Sequence, residues 1–197
     1  MKVLVACEFS GRVREAFRKL GHDAWSCDLI PTEQESRYHV QGDVLNILDD
    51  GWDLMIAHPT CTYLANSGVR WLYKHGTRIR VPERWTALAE SAAFFKALLA
   101  ANIPRIAVEN PIMHRYGKKA IGCGEPSQII QPWMFGDGET KATCLWLKNL
   151  PLLVPTDIVK GRVQKTFLEP PSPERWKNRS RTYMGIAKAM AEQWGCL

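Results

Sequence analysis

The sequence predicts an α/β fold built on a mainly parallel β-sheet that is flanked by helices. Short apolar runs alternate with helical patterns through the first half of the chain, as in folds made of repeated strand–helix units. Several of these runs end in polar or reactive residues, which is typical of the strand ends where such sheets bind ligands. With 197 residues, of which 46% are hydrophobic, the chain is expected to form a single domain, residues 1–197.

The first strand–helix–strand unit occupies the N-terminal residues. Residues 2–8 and 23–29 are apolar runs that predict two strands. Residues 11–21 predict the helix between them, with Gly21 as its stop. Apolar side chains recur there at helical spacing, namely at Val13, Ala16, Phe17 and Leu20. A further strand is predicted at residues 53–58.

The clearest helical pattern covers residues 82–101. Pro82 suits the first turn of a helix, where its missing N–H costs nothing. Apolar residues lie along one face, namely Trp85, Leu88, Ala92, Phe95 and Leu99. Residues 105–111 then predict a strand that runs into a polar turn.

The last third of the chain has a weaker pattern. Residues 111–139 are rich in Gly and Pro and predict irregular structure. Residues 140–147 predict a late strand, and residues 180–195 predict a closing helix.

The net charge of +6 indicates an acidic partner. The excess lies in two segments, residues 70–84 and 160–181, and the first also carries Trp71 and Tyr73. Such segments fit either a solvated surface or contact with nucleic-acid phosphates, with the aromatic rings available for base stacking. Composition alone leaves both interpretations open.

Other features limit the class of protein. No stretch approaches the ~20 apolar residues needed to span a bilayer, and the N-terminus lacks the long apolar region of a signal peptide. We therefore expect a cytoplasmic protein with no membrane partner. The six cysteines lie far apart without CxxC or zinc-ligand spacing, so no metal site is expected and most should be free thiols.

Six short motifs resemble those of the DNA cytosine-C5 methyltransferases, enzymes that use S-adenosylmethionine. They are CEFSG (7–11), SCDLIP (26–31), GDVLNI (42–47), HPTC (58–61), VENP (108–111) and GIAKAMAEQW (185–194). HPTC and VENP are the specific part, because they stand where the family has Pro-Pro-Cys and Glu-Asn-Val. The resemblance implies a Rossmann-like methyltransferase fold. Residues 1–110 would form the cofactor and catalytic half, and residues 111–197 a reduced substrate-side region with the closing helix.

The resemblance also implies roles for individual residues. Cys61 matches the nucleophile, and Glu109 matches the glutamate that binds cytosine. The implied cofactor is S-adenosylmethionine, contacted by Phe9, Ser10, Gly11, Asp28, Asp43 and Pro59. On the substrate side it implies Asn110, expected mainly to hold the turn. Lys141 or Arg181 would replace a cation from the family's Gln-x-Arg-x-Arg segment, which this chain lacks.

The chemistry explains these residue types. Cytosine C5 is too weak a nucleophile to accept a methyl group unaided, and a thiolate that adds to C6 activates it. A carboxyl group at N3 stabilises the charge that develops there. Glu109 is therefore expected to be protonated, or to share a proton with N3, because solvation is reduced at the sheet end. His58 is interpreted as a loop histidine outside the catalytic set.

Departures from the family pattern keep other functions open. Thr60 replaces a proline, Pro111 replaces the residue after Glu-Asn, and the cofactor loop lacks its second glycine. Residues 111–180 leave room for at most a reduced target-recognition region. Methylation of cytosine C5 in DNA is the leading hypothesis. The alternatives are the same reaction on a free cytosine nucleotide and a non-catalytic module that binds nucleic acid. A dinucleotide-dependent oxidoreductase is disfavoured because G-x-G-x-x-G is absent.

Overall fold

The computed structural model describes all residues from Met1 to Leu197. Its seven strands are β1 (Lys2–Ala6), β2 (Asp23–Asp28), β3 (His39–Gln41), β4 (Leu54–Ala57), β5 (Arg105–Pro111), β6 (Gln128–Ile130) and β7 (Thr143–Lys148). Its six α-helices are α1 (Arg12–Lys19), α2 (Pro82–Leu99), α3 (Arg115–Ile121), α4 (Lys165–Leu168), α5 (Arg175–Ser180) and α6 (Met184–Trp194). None of the helices combines the length and the apolar composition needed to cross a membrane.

The strands form one sheet in the order β3-β2-β1-β4-β5-β7-β6. The first five strands pair in parallel, whereas β7 is antiparallel to both of its neighbours. Because parallel strands are covered on both faces, β1 and β4 are almost wholly apolar and buried. The predicted α/β class with a mainly parallel sheet, a Rossmann-like fold, is confirmed.

Two apolar clusters cover the two faces of the sheet. One contains Leu4, Phe95 and Trp146 and lies on the side of α2. The other contains Phe17 and Trp194 and lies where α1 packs against α6. At the start of α6, Gly185 approaches the Phe135 backbone so closely that an added Cβ would overlap the Phe135 carbonyl oxygen. A residue without a Cβ, namely glycine, is therefore required where α6 docks.

The structure corrects three details of the predicted elements. Residues 111–139, predicted to be irregular, contain α3 and β6. The side chain of His114 caps α3 by accepting a hydrogen bond from the Gly117 N–H at 2.9 Å, while β6 pairs with β7. The closing helix starts at Met184 rather than at residue 180, because Arg181 and Tyr183 have extended backbone, and residues 175–180 form a separate short helix. In α2, Leu98 rather than Leu99 is fully buried.

Candidate active site

A cleft of about 570 Å³ opens at the carboxyl ends of β1, β4 and β5. It is lined by Cys7–Ser10 after β1, by His58–Thr62 after β4 and by Glu109 from β5. The strand order reverses here, because β1 and β4 are neighbours while the chain extends from them toward opposite edges of the sheet. Open α/β sheets bind their ligands at such crevices. The cleft is therefore the candidate active site.

The cleft brings together six of the eleven residues that the sequence singled out. They come from the β1 loop, the β4 loop, β5 and the segment before β7, and are Phe9, Ser10, Pro59, Cys61, Glu109 and Lys141. The other five do not line the cleft; they are Gly11, Asp28, Asp43, Asn110 and Arg181. The two residues proposed for catalysis are thus in one site although 48 positions separate them in the sequence.

The loop after β1 is held by the buried carboxylate of Glu8. Its Oε1 atom accepts hydrogen bonds from the Val13 N–H at 2.7 Å and from the Ser10 hydroxyl at 3.2 Å. Its Oε2 atom accepts from the Arg14 N–H at 3.3 Å. Glu8 therefore occupies the N-terminus of α1, the position at which phosphate-bearing cofactors bind in many nucleotide-binding folds. A dinucleotide pyrophosphate would meet a carboxylate here instead of free N–H groups.

Gly11 makes the turn from this loop into α1. Its φ of 71° lies in the left-handed region that favours glycine. A Cβ at this position would also clash with the guanidinium of Arg14, which is fully buried and donates a hydrogen bond from Nη1 to the Ser26 hydroxyl at 2.7 Å. Gly11 thus shapes the loop without lining the cleft.

Asp28 and Asp43 lie near the end of β1, where Cys7 is half-buried. Burial is the main cause that raises the pKa of the Cys7 thiol, and the charges of Asp28 and Asp43 raise it further. Asp28 accepts a hydrogen bond from the Ile30 N–H at 3.2 Å, and burial raises its pKa. Asp43 caps a short 3₁₀ helix by accepting from the Leu45 N–H at 3.0 Å. Both carboxylates therefore hold local turns, and their contact with a cofactor stays a prediction.

Cys61 is a partly buried thiol in the turn after β4. Its carbonyl accepts hydrogen bonds from the Leu64 and Ala65 N–H groups, which fixes the turn. Burial raises the pKa of the thiol, and the nearby charge of Glu109 raises it further. The positive charges of Lys141 and Arg179 act in the opposite direction. Since the net pKa lies above the usual value of 9.0, Cys61 is a thiol at neutral pH in the ligand-free protein.

Glu109 carries a negative charge in the ligand-free cleft, contrary to the expectation that reduced solvation protonates it. Burial does raise its pKa, but a hydrogen bond from His58 and the charges of His58 and Lys141 outweigh this effect and lower it. The Nδ1 atom of His58 lies 3.4 Å from the Oε2 atom of Glu109. This contact could not be predicted from the sequence, because it joins the ends of two neighbouring strands.

The remaining predicted residues have structural contacts. Asn110 is fully buried and donates a hydrogen bond from its amide to the Pro59 carbonyl at 3.4 Å, which ties β5 to the cysteine loop. Arg181 lies outside the cleft in an ion pair with Glu33, where its Nε is 2.8 Å from Oε2. Lys141 does reach the cleft, and its Nζ donates to the Arg179 carbonyl at 2.8 Å.

Basic and aromatic side chains also line the cleft. Trp71 and Trp176 both line the cleft and are 51% and 53% exposed. Arg70 stacks over Trp71 at 4.7 Å, and Trp176 packs against Phe9 of the β1 loop with ring centroids 5.8 Å apart. In all, the cleft is lined by two carboxylates, Glu8 and Glu109, and by five cations, namely Arg70, Arg84, Lys141, Arg175 and Arg179.

The chain is similar to solved structures of methyltransferases. One is a DNA modification methyltransferase encoded within a prophage (E. coli), with 12% identity, a TM-score of 0.45 and coverage of 86% of this chain and 55% of that one. Another is the S. pombe Dnmt2 methyltransferase, with 14% identity, a TM-score of 0.42 and coverage of 84% and 53%. The chain therefore spans about half the length of each structure. No protein-family model and no curated protein matches the sequence.

Proposed function

We propose that this protein transfers a methyl group from S-adenosylmethionine to C5 of cytosine in DNA, with Cys61 as the nucleophile. The observation that carries the proposal is the meeting of Cys61, Glu109 and Lys141 in one cleft where the strand order reverses. The thiol and the carboxyl group are the two groups that activation of cytosine requires. Cys61 and Glu109 belong to separate elements of the fold, and their presence in the same cleft supports the roles that the motif resemblance implies.

The β1 loop fits a cofactor that has no phosphate. Glu8 takes the N–H groups at the start of α1, so this helix end does not offer the anion site that NAD and related dinucleotides use. S-adenosylmethionine carries no phosphate, so its binding does not require this pyrophosphate site. Phe9, Ser10 and Pro59 would hold it on the cleft side, and it would supply the electrophilic methyl group. The oxidoreductase alternative is correspondingly disfavoured.

Four residues of the chain have separate roles in the proposed reaction. The Sγ atom of Cys61, once deprotonated, forms a bond to cytosine C6, and Glu109 supports the charge that develops at N3. Lys141 stabilises the thiolate because its charge lowers the pKa of Cys61. After methyl transfer, a base takes the C5 proton, the electrons of the C5–H bond restore the C5–C6 double bond, and the C6–S bond breaks to return the thiolate. Asn110 keeps the cysteine loop in register with β5 through Pro59.

The walls of the cleft favour a nucleic-acid strand over a free nucleotide. Five cations line the cleft, which is more than a single phosphate needs. Exposed tryptophans beside arginines are typical of proteins that bind single-stranded nucleic acid without sequence preference, because the bases stack on the aromatic rings. We therefore propose DNA as the substrate, with the target base outside a duplex stack when it reacts.

A methyl-transfer assay tests the proposal. Tritiated S-adenosylmethionine is offered with duplex DNA, single-stranded DNA and dCMP in separate reactions, using the wild type, Cys61→Ser and Cys196→Ser. Cys196 is exposed and does not line the cleft, so it is the matched control. Label should enter DNA with the wild type and the control but not with Cys61→Ser. Label in dCMP alone would favour the free-nucleotide alternative, and DNA binding without label would favour the non-catalytic module.

A further inference from the structure

His58 stands in the candidate active site with an unusual set of contacts. It follows β4, and its backbone N–H donates to the Ala6 carbonyl at 2.9 Å, which ties it to the end of β1. Its side chain is 10% exposed, and Nδ1 lies 3.4 Å from Oε2 of Glu109. The other ring nitrogen, Nε2, is buried and has no hydrogen-bond partner. A buried imidazole is thus paired with the carboxylate that is to meet the substrate.

Several charged and titratable groups surround the pair. The charges of His58 and Lys141 act on Glu109, and the charge of Glu109 in turn raises the pKa of the Cys61 and Cys144 thiols. His58 contacts Glu109 and also acts electrostatically on Asp28 at the end of β2. A purely structural histidine would be expected to satisfy both ring nitrogens, as His114 does by bonding Gly117 and Tyr63. His58 leaves one nitrogen without a partner inside the cleft wall.

We propose that His58 is a positioning residue that stores the proton which Glu109 delivers to N3 of the target cytosine. This inference rests on the proposed function. In the protonated pair, the Nδ1–H bond of the imidazolium breaks as its proton moves to the Glu109 carboxylate, and Glu109 passes a proton to N3. His58 becomes neutral while N3 becomes protonated, and the proton returns when the thiolate leaves C6. No oxidant or further reactant is needed.

This arrangement resolves a conflict in the ligand-free site. Support of N3 requires a proton on Glu109, yet the contact with His58 keeps the carboxylate ionised before the base arrives. A proton held on the imidazole reaches N3 through Glu109 without Glu109 having to carry it in the free protein. In the ligand-free protein the proton is therefore held by the pair of His58 and Glu109, with His58 and not the Glu109 carboxyl group as its carrier.

The test compares His58→Asn with the wild type in the DNA methylation assay over a range of pH. An asparagine amide can still donate to Glu109 from about the position of Nδ1, but it cannot carry the proton. We expect kcat near neutral pH to fall about 100-fold, the KM for S-adenosylmethionine to change little, and the alkaline limb of the kcat profile to move to lower pH. Equal kcat, or a uniform loss with an unchanged pH profile, would overturn the inference.

A second measurement does not depend on activity. Nitrogen NMR of histidine-labelled protein compares the ring-nitrogen resonances of His58 in the wild type and in Glu109→Gln. Loss of the carboxylate should shift the Nδ1 resonance, which belongs to the atom 3.4 Å from Glu109 Oε2, and unchanged resonances would contradict the pairing. If methyl transfer required Cys61 but not His58, this inference would be contradicted and the proposed function would stand. Absence of methyl transfer by the wild type would remove the proposed function and the inference with it.

Discussion

The Oε1 atom of Glu8 lies 2.7 Å from the backbone nitrogen of Val13, so a buried carboxylate caps the helix that follows the first strand. This contact decides what the loop can bind. The same helix end is an anion site in many nucleotide-binding proteins, and here the anion is part of the chain. The loop makes its turn at Gly11, and Glu8 occupies the N–H groups that a pyrophosphate would otherwise use. The proposed preference for a cofactor without phosphates rests on this contact.

Replacement of Glu8 by glutamine should destabilise the fold. The amide keeps one acceptor oxygen but loses the charge, and its NH₂ group would face the Arg14 N–H. We expect the free energy of unfolding to fall by about 1–3 kcal/mol, since hydrogen bonds to charged groups are worth that much. Urea denaturation measures it. Glu192→Gln is the control, because its ion pair with Lys188 is exposed and long at 3.7 Å. Equal midpoints for both variants would contradict the capping role.

Removal of the charge at Lys141 should make Cys61 less acidic. Lys141→Met takes away a positive charge that lowers the thiol pKa, so the pKa rises further above 9.0 and less thiolate is present at a given pH. The rate of Cys61 alkylation, followed by peptide mass spectrometry from pH 7 upward, should fall below the wild-type rate and converge with it at high pH. We expect methylation to fall about 10-fold or more.

The exposed Lys188 provides the control for this experiment. Its side chain is 73% exposed and lies on α6, so Lys188→Met should leave the alkylation profile of Cys61 unchanged. An identical profile in Lys141→Met would show that the lysine does not act on the thiol.

The two exposed tryptophans should contribute to DNA binding. Trp71→Ala and Trp176→Ala each remove a ring from a wall of the cleft, and loss of a base stack costs about 1–3 kcal/mol. We expect the Kd for single-stranded DNA to rise about 10-fold in each variant, as measured by fluorescence anisotropy at fixed salt. Tyr38→Ala is the control, since Tyr38 also lies beside two arginines but outside the cleft. A similar loss in Tyr38→Ala would point to a diffuse basic surface.

The close approach at Gly185 gives a prediction about the fold alone. Gly185→Ala places a Cβ against the Phe135 carbonyl oxygen, where backbone rather than a flexible side chain must move. We expect a loss of about 1–3 kcal/mol or more, as for other overpacked sites. Gly42→Ala should be nearly neutral because nothing lies within 4 Å of the added Cβ and its φ is not positive. Thermal unfolding of both variants distinguishes them, and equal Tm values would contradict the docking of α6.

The sheet could be predicted from the sequence because its central strands are buried on both faces. Runs such as Lys2–Ala6 and Leu54–Ala57 leave few other structures available. The short strands β3 and β6 were missed, since three residues carry no periodicity and pair only because a neighbouring strand is present. The helix α3 was also missed, because its Gly- and Pro-rich surroundings resemble a loop and its cap comes from His114.

The reactive centre could be anticipated only in part. Cys61 and Glu109 stood out because each follows or ends a buried strand, and parallel strand ends meet at one edge. The contact between His58 and Glu109 depends on side-chain placement across two strands, which spacing does not encode. Trp176 reaches the cleft from a distant short helix, and Arg181, predicted to serve the substrate, is paired with Glu33 instead.

Capture of the covalent intermediate tests the role of Cys61 most directly. Single-stranded DNA that contains 5-fluorocytosine is incubated with the protein and S-adenosylmethionine, because fluorine at C5 cannot be removed as a proton and the thioether bond persists. The account predicts a cofactor-dependent adduct that mass spectrometry maps to Cys61 and that is absent in Cys61→Ser. Methylation of ordinary DNA by Cys61→Ser, or an adduct on another residue, would contradict it.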